Sequence, residues 1–492
     1  MDDGLYLGFD VGTQGTKGLL LDAGRRAVVA RAGRPHGLIP DLPPGAAEQH
    51  PDTWVAALRE VAAELLATPG VERARVRGIG VSGQQHGLVV LDADDRVVRP
   101  AKLWCDTTTA KEAEELSRDL GRSIPAGFTA SKILWLQRHE PQHWQQVRAV
   151  LLPHDYINFR LTGNKTMEAG DASGTGFFDP LTRSFDQRAM ARIDPRLAAM
   201  LPPLISAGSP AGPLSAAGAT LLGVAEGIPV ASGGGDNMMS AIGSGATRPG
   251  VVVVSLGTSG TAFAYSATPV VDPEGLIAPF CDSTGAWLPL LCVMNMTGVS
   301  EEIRAAFGGD LDSLTRAAAA VPAGAQGLLL LPYLQGERVP NLPAATGVLL
   351  GIRPGLLGRG HLFRAALEGT SLSLALGIER MQSLGIHSDV VRLVGGGSHN
   401  PLWRQIVADV LELPVVCLAE SESAALGAAI QALWSVRRAA GHDASADEVA
   451  TPFVHTSGDV VSPQALPAAT YRAARARMRE LTQRIFGDRP NP

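Results

Sequence analysis

The sequence predicts an α/β protein of two similar domains that face each other across a cleft, and three observations carry the prediction. Residues 5–21, "LYLGFDVGTQGTKGLLL", read as an apolar strand, a tight Gly/Thr turn and a second apolar run, and residues 251–264, "VVVVSLGTSGTAFA", repeat that rhythm. The cores GTQGT and GTSGT begin at residues 12 and 257 of a 492-residue chain, half its length apart, as a duplication would leave them. Between and beyond them strand and helix patterns alternate, which is the signature of sheets covered by helices.

Taken in order, the first Gly-Thr hairpin is followed by a helix over "PDTWVAALREVAAELLA" (51–67) and a buried strand over "VRGIGVSGQ" (76–84). "SKILWLQRH" (131–139) is helical and stops before Pro141, because the residue before a proline is pushed out of helical geometry. After the second hairpin, "VVRLVGGG" (390–397) is a strand that breaks at three glycines. The next segment, "NPLWRQIVADVLE" (400–412), has helical spacing and places Pro401 in its first turn, where proline is tolerated. Residues 419–434 form a small-residue helix able to pack closely, 437–448 a surface loop, and "RAARARMRE" (472–480) the solvated face of a closing helix. The domains are expected at 1–247 and 248–492.

Composition narrows the function. Forty-two basic residues against 48 acidic ones give a net charge of −6 without long runs of one sign, so neither nucleic acid nor an anionic membrane is an expected partner. The start "MDDGLYLGFD" is acidic where a signal peptide is basic, and no apolar run reaches the length of about 18 residues that spans a bilayer. Cys105, Cys281, Cys292 and Cys417 are scattered without a CxxC pair, which points to a reducing, cytoplasmic compartment.

Several nucleotide and metal chemistries are excluded by spacing. GxxxxGK[ST] is absent, "GTQGTKG" fails on its glycines, and the HRD and DFG elements of protein kinases are missing. "GGGSHN" (395–400) carries Asn400 where a dinucleotide turn needs its last glycine. "HEPQH" (139–143) matches HExxH only formally, since Pro141 breaks the single helix that would put both histidines on one face.

Phosphoryl transfer from such a cleft would need backbone donors, a carboxylate for Mg²⁺ and an oriented hydroxyl. The two hairpins supply amides and the hydroxyls of Thr13, Thr16, Thr258 and Thr261, although each alone also reads as an ordinary β-hairpin. Asp10 precedes the first hairpin where Ser255 precedes the second, so only the first half offers a carboxylate for magnesium. "VASGGGDNMMSAIG" (230–243) delivers one carboxylate, Asp236, after three glycines. Asp236 either caps the helix that starts at Asn237, or the glycines admit a ligand while Asp236 handles a proton.

These residues resemble the FGGY carbohydrate kinases of the actin/hexokinase-type ATPase superfamily. The match runs through "GFDVGTQGTKG" (8–18), "GGGDN" (233–237), "SLGTSG" (255–260), "LPYLQGERVP" (331–340), "LEGTSLSLALGIE" (367–379), "GGGSHNPLWRQIVAD" (395–409) and "ESAALGAAIQA" (422–432), in family order. The resemblance implies two actin/hexokinase-like (ribonuclease H-like) domains around a central cleft. It implies ATP and Mg²⁺ as cofactors and a sugar as substrate; a homodimer is a further expectation, on which the residues themselves are silent. Asp236 would be the general base toward the C5 hydroxyl of a ketopentose, with Gln85, His86, Asn237 and Asp106 on the sugar. Asp10 would support Mg²⁺. Thr13, Gln14, Thr16, Lys17 and Thr258 would lie on the phosphates, and Gly396, Gly397 and Asn400 on the adenosine.

"GQQHG" (83–87), "LWCD" (103–106), "GFTASKILWLQRHEP" (127–141) and "LLPHDYINFRLTG" (151–163) are similar to the branch of the family that phosphorylates D-xylulose. Gln85 stands where that branch usually has methionine, and Cys105 and a run of threonines interrupt the second segment. Trp104 reads as core, and Lys132 as a sugar or structural residue. Other ketoses or polyols (ribulose, ribitol, L-fuculose) are the alternative substrates, and a non-catalytic ATP-binding sensor is the alternative role. A capping Asp236 would sit at the positive end of a helix, which lowers its pKa.

Overall fold

The computed structural model describes residues 3–487. Strands Leu5–Val11, Gly15–Asp22 and Ala27–Pro35 form an antiparallel meander, and Val76–Gly83 joins Leu5–Val11 in parallel on its other side. Pro229–Ala231 adds in parallel to Val76–Gly83, with Pro210–Pro213 antiparallel at the edge. The second half repeats the plan. Gly250–Leu256, Gly260–Ala264 and Trp287–Val293 are the meander, and Ser388–Val394 and then Val415–Leu418 are the parallel strands. Two sheets with one strand order, half a chain apart, are what the hairpin echo predicts.

Each sheet gains its parallel strand through a helix that covers it, as parallel pairing requires. Pro51–Leu66 turns Trp54, Leu58, Val61 and Leu65 inward at helical spacing and starts on a proline. Its counterpart, Arg359–Ser383, is buried around most of its surface, so it shows little amphipathic pattern. Pro141 behaves as expected: one helix ends at His139 and another starts at Pro141. His139 faces Glu112 and His143 faces Glu140, and among the described residues no cluster is placed to hold a metal.

The expected boundary at 247/248 falls between helix Asp236–Gly243 and strand Gly250–Leu256, yet the halves share a core. Helix Ser423–Ala439 comes from the second half and lies on the first sheet, burying Ala425, Ala428 and Leu433 with Tyr6, Leu21 and Met239. A Cβ on Gly8 would stand 2.1 Å from the Ala425 carbonyl, and one on Gly80 1.9 Å from that of Ala428. Glycine on both central strands is therefore what lets the helix reach the sheet. No helix among the described residues is long and apolar enough to cross a membrane.

Candidate active site

Both Gly-Thr loops have their carbonyls turned into the protein. Gln49 Nε2 donates to the Thr13 carbonyl at 2.7 Å and His36 N to that of Gln14 at 3.2 Å. In the second loop Thr297 N donates to Gly257 O at 2.9 Å and Met296 N to Thr258 O at 3.1 Å. A trans peptide sets its N–H opposite its C=O, so the amides of Gln14, Gly15, Thr258 and Ser259 face outward, as an anion cradle requires. The loops are not identical: the first is closed by the pair Val11↔Thr16, the second by Leu256↔Gly260. Asp10 consequently faces Lys17 across its hairpin, whereas Ser255 faces Thr261. Asp10 accepts from Ser82 Oγ at 2.7 Å, and burial, reinforced by Glu422, pushes its pKa up despite that bond and Lys17.

Asp236 opens into a cavity of about 680 Å³ whose walls include Gln85, His86, Asn237 and the second loop from Ser255 to Thr261. The three preceding glycines serve protein packing. A Cβ on Gly233 would meet the Val81 carbonyl at 2.7 Å, one on Gly234 Ser283 Oγ at 2.4 Å, and one on Gly235 the Gln85 side chain at 2.6 Å. Gly233 adopts φ +72°, and Gln431 holds it in place by accepting from its N–H (2.9 Å) and donating to its carbonyl (3.1 Å). Sequence reasoning missed this clamp, which reaches the loop from the far half of the chain.

The cap expectation for Asp236 is corrected. Gly235 is the N-cap and Asp236 the first helical residue, its carboxylate accepting from Asn237 N at 2.8 Å and Asn237 Nδ2 at 3.1 Å. Its pKa is not lowered. Burial, then the charges of Asp10 and Asp171, push it up to about 8, outweighing the backbone amides of Asn237 and Asp236 that lower it. Asn237 Nδ2 also donates to Gln85 Oε1 at 2.8 Å, while Gln85 Nε2 has no partner. His86 sits at φ +65° with its ring between Phe128 (4.9 Å) and Phe280 (5.8 Å). Burial pushes its pKa down to about 3, so it is neutral. A Cβ on Gly174 would lie 1.8 Å from that ring.

Behind the carboxylate, His154 lies between Asp171 (2.9 Å) and Asp155 (3.0 Å). Burial opposes its charge, but the two carboxylates carry its pKa well above the ordinary value. The histidinium offsets the Asp171 carboxylate that faces Asp236.

Other expected site residues are distributed differently. Asp106 does not line this cavity: it is fully buried, accepting from Ala47 N, Lys102 Nζ and Thr108, so its carboxylate is held by the framework. Asn400 caps helix Pro401–Leu411 by accepting from Leu402 N and Trp403 N, and donates to Thr315. Its side chain is therefore occupied. Gly397 is packed against Leu256 and Trp403, whereas Gly396 is open and lines a second cavity of about 480 Å³ with Lys17 and Glu422. Thr16 is buried against His36, and Lys17 pairs with Glu422 at 2.8 Å. Thr13 donates to Gln84 Oε1 and accepts from Trp104 Nε1. Trp104, read as core from sequence, is 37% exposed and lines the larger cavity. Lys132 is buried and donates to the carbonyls of Gly127 and Phe128, a structural role.

Duplicated sheets bearing outward-facing amide loops, with the elevated carboxyl of Asp236 in the cavity beside them, have the architecture of an actin/hexokinase-like phosphotransferase. Residues 5–243 match the N-terminal domain of the FGGY family of carbohydrate kinases, and residues 252–436 match its C-terminal domain. The chain belongs to that family, and it is an ATP-dependent carbohydrate kinase. The xylulose kinase of Haemophilus influenzae is 41% identical to it over 447 residues, covering 88% of this chain and 90% of that protein. The xylulose kinase of Escherichia coli K12 is 35% identical over 421 residues, covering 82% of this chain and 84% of that one. The crystal structure of xylulose kinase from Rhodospirillum rubrum has a TM-score of 0.87 at 30% identity, over 98% of this chain and 99% of that chain.

Proposed function

We propose that this protein transfers the γ-phosphoryl group of ATP to the C5 hydroxyl of D-xylulose, giving D-xylulose 5-phosphate and ADP. The observation that carries this reading is the single cavity that contains Asp236, Asn237, Gln85 and His86 on one wall and the Thr258 loop on the other. The relatives' activity supplies the sugar. Asp236 orients the C5 hydroxyl and takes its proton; the new P–O5 bond forms as the bond from the γ-phosphorus to the bridging oxygen breaks, its electrons leaving with ADP. In a loose transition state the proton moves late, so orientation is the larger part of the role. His86, neutral and packed against two phenylalanines, positions the sugar. The outward amides of the two Gly-Thr loops bind phosphate oxygens, and open Gly396 leaves room for the adenosine.

Asp10 fits a carboxylate that supports Mg²⁺. It is buried with one hydroxyl donor, and magnesium is commonly held by one or two carboxylates with water and phosphate oxygens completing the shell. When bound, the ion neutralises charge on the phosphates. The unpaired cysteines are consistent with a cytoplasmic enzyme.

The test is Asp236→Asn, assayed by ADP release across pentuloses, ketohexoses and polyols. Expected is loss of turnover by about 10²–10⁴-fold, the share of a general base, with ATP binding retained. Normal turnover by the variant sinks the assignment of the base, and a preference of the wild type for another sugar sinks D-xylulose.

A further inference from the structure

Among the described residues, Arg338 is the one permanently charged cation on the walls of the cavity that holds Asp236 and the Thr258 loop. His86 is neutral there, and Lys17 lies in the other cavity, paired with Glu422. Arg338 is exposed, its Nη1 resting 3.9 Å from Cys292 Sγ, and among the described residues no carboxylate stands within ion-pair distance of it.

Its backbone is nevertheless fixed. The buried Glu337 carboxylate accepts from Arg338 N at 2.8 Å, Met294 N at 2.7 Å and Asn295 Nδ2 at 3.0 Å. Asn295 Nδ2 also donates to Gly336 O at 2.7 Å. Two residues further on, Met296 N and Thr297 N donate to the carbonyls of the second Gly-Thr loop. One short buttress, residues 294–297, thus fixes both the backbone that carries the free guanidinium and the loop that turns its amides toward phosphate. "LPYLQGERVP" is accounted for in this way: Glu337 is the anchor, and Arg338 is what it presents.

We propose that Arg338 is a catalytic residue, whose guanidinium binds the phosphoryl group as it passes to the sugar and then holds the phosphate of the product. A migrating phosphoryl group spreads negative charge over three oxygens, and a planar guanidinium meets two of them at once. The sugar before reaction is neutral, so the cation acts on the charge that arrives with the phosphoryl group and not on the acceptor. This rests on the kinase activity and not on which sugar is phosphorylated.

The experiment compares wild type with Arg338→Met and Arg338→Lys in the full-length protein, reading kcat and, by calorimetry, the affinities for D-xylulose and D-xylulose 5-phosphate. Arg338→Met is expected to lower kcat by about 10²–10³-fold, the range for removing a preorganised donor from a developing anion. The sugar phosphate binds about tenfold more weakly or worse, as loss of a charge-assisted bond implies, while D-xylulose affinity stays unchanged. Arg338→Lys restores part of the phosphate affinity, because it keeps the charge and loses the fork. The proposal is overturned if kcat of a folded Arg338→Met protein matches wild type, or if the sugar and its phosphate are weakened equally. Should the wild type prefer another ketose, the same comparison runs with that sugar and its phosphate; D-xylulose then fails while Arg338 is still tested.

Discussion

Replacing the proposed base should make the protein more stable, and the gain should grow with pH in a defined window. Asp236 has a pKa near 8 in the folded state, against about 3.9 in an unfolded chain. The sign follows directly. Below the unfolded value both states are protonated and folding is unaffected; above it, the unfolded chain ionises freely while the folded protein resists. Wild type therefore loses about 1.4 kcal/mol per pH unit from about pH 4 up to about 8, which is about 4 kcal/mol at pH 7. Asp236→Asn cannot ionise and is free of this penalty. It keeps a side-chain oxygen able to accept from Asn237 N, the bond the carboxylate makes at 2.8 Å. Urea unfolding of both proteins at half-unit steps from pH 5 to 8.5 measures the difference. It should be near 1–2 kcal/mol at pH 5 and approach about 5 kcal/mol at the alkaline end. A difference that is flat, or that shrinks as pH rises, refutes the reasoning, because burial beside Asp10 and Asp171 would then not be holding the carboxyl protonated.

Three further outcomes follow from neighbouring groups. The acid limb of kcat/KM should fall near pH 8, and Asp171→Asn should move it downward in a pH–rate profile, since it removes a negative neighbour of Asp236. Gln431→Leu strands the N–H and carbonyl of Gly233 and should destabilise by about 1–3 kcal/mol; calorimetric melting checks this, with a fall in kcat as the catalytic loop loosens. Asp106→Ala leaves buried Lys102 without one of its carboxylates and should cost about 3–5 kcal/mol, while the KM for sugar in the folded fraction stays that of wild type; a raised KM would return Asp106 to the substrate wall.

What was legible in the sequence was local. The paired hairpins are written in strand–turn–strand patterns, and Pro141 breaks HEPQH within its own five residues. Misplaced features depend on contacts across the chain. Asp106 reads as an available loop carboxylate until Ala47 and Lys102 close on it. Asn400 reads as an adenosine contact until the amides of Leu402 and Trp403 donate to its side chain. The pKa of Asp236 shows the same division: the helix end that lowers it is visible in sequence, whereas the burial and the two distant carboxylates that raise it are not. Helix 423–439 announced its small residues but not the sheet they meet.

That helix also determines how the two halves can move. A Cβ on Gly427 would stand 1.8 Å from the Met239 carbonyl, and one on Gly243 1.9 Å from that of Ser423. Helices Asp236–Gly243 and Ser423–Ala439 are thus in backbone contact where these glycines meet, and the first begins with Asp236, the proposed base. Gln431 ties the second helix to the glycine loop before Asp236. Any rotation of one sheet against the other must keep this pair together or part backbones already in contact.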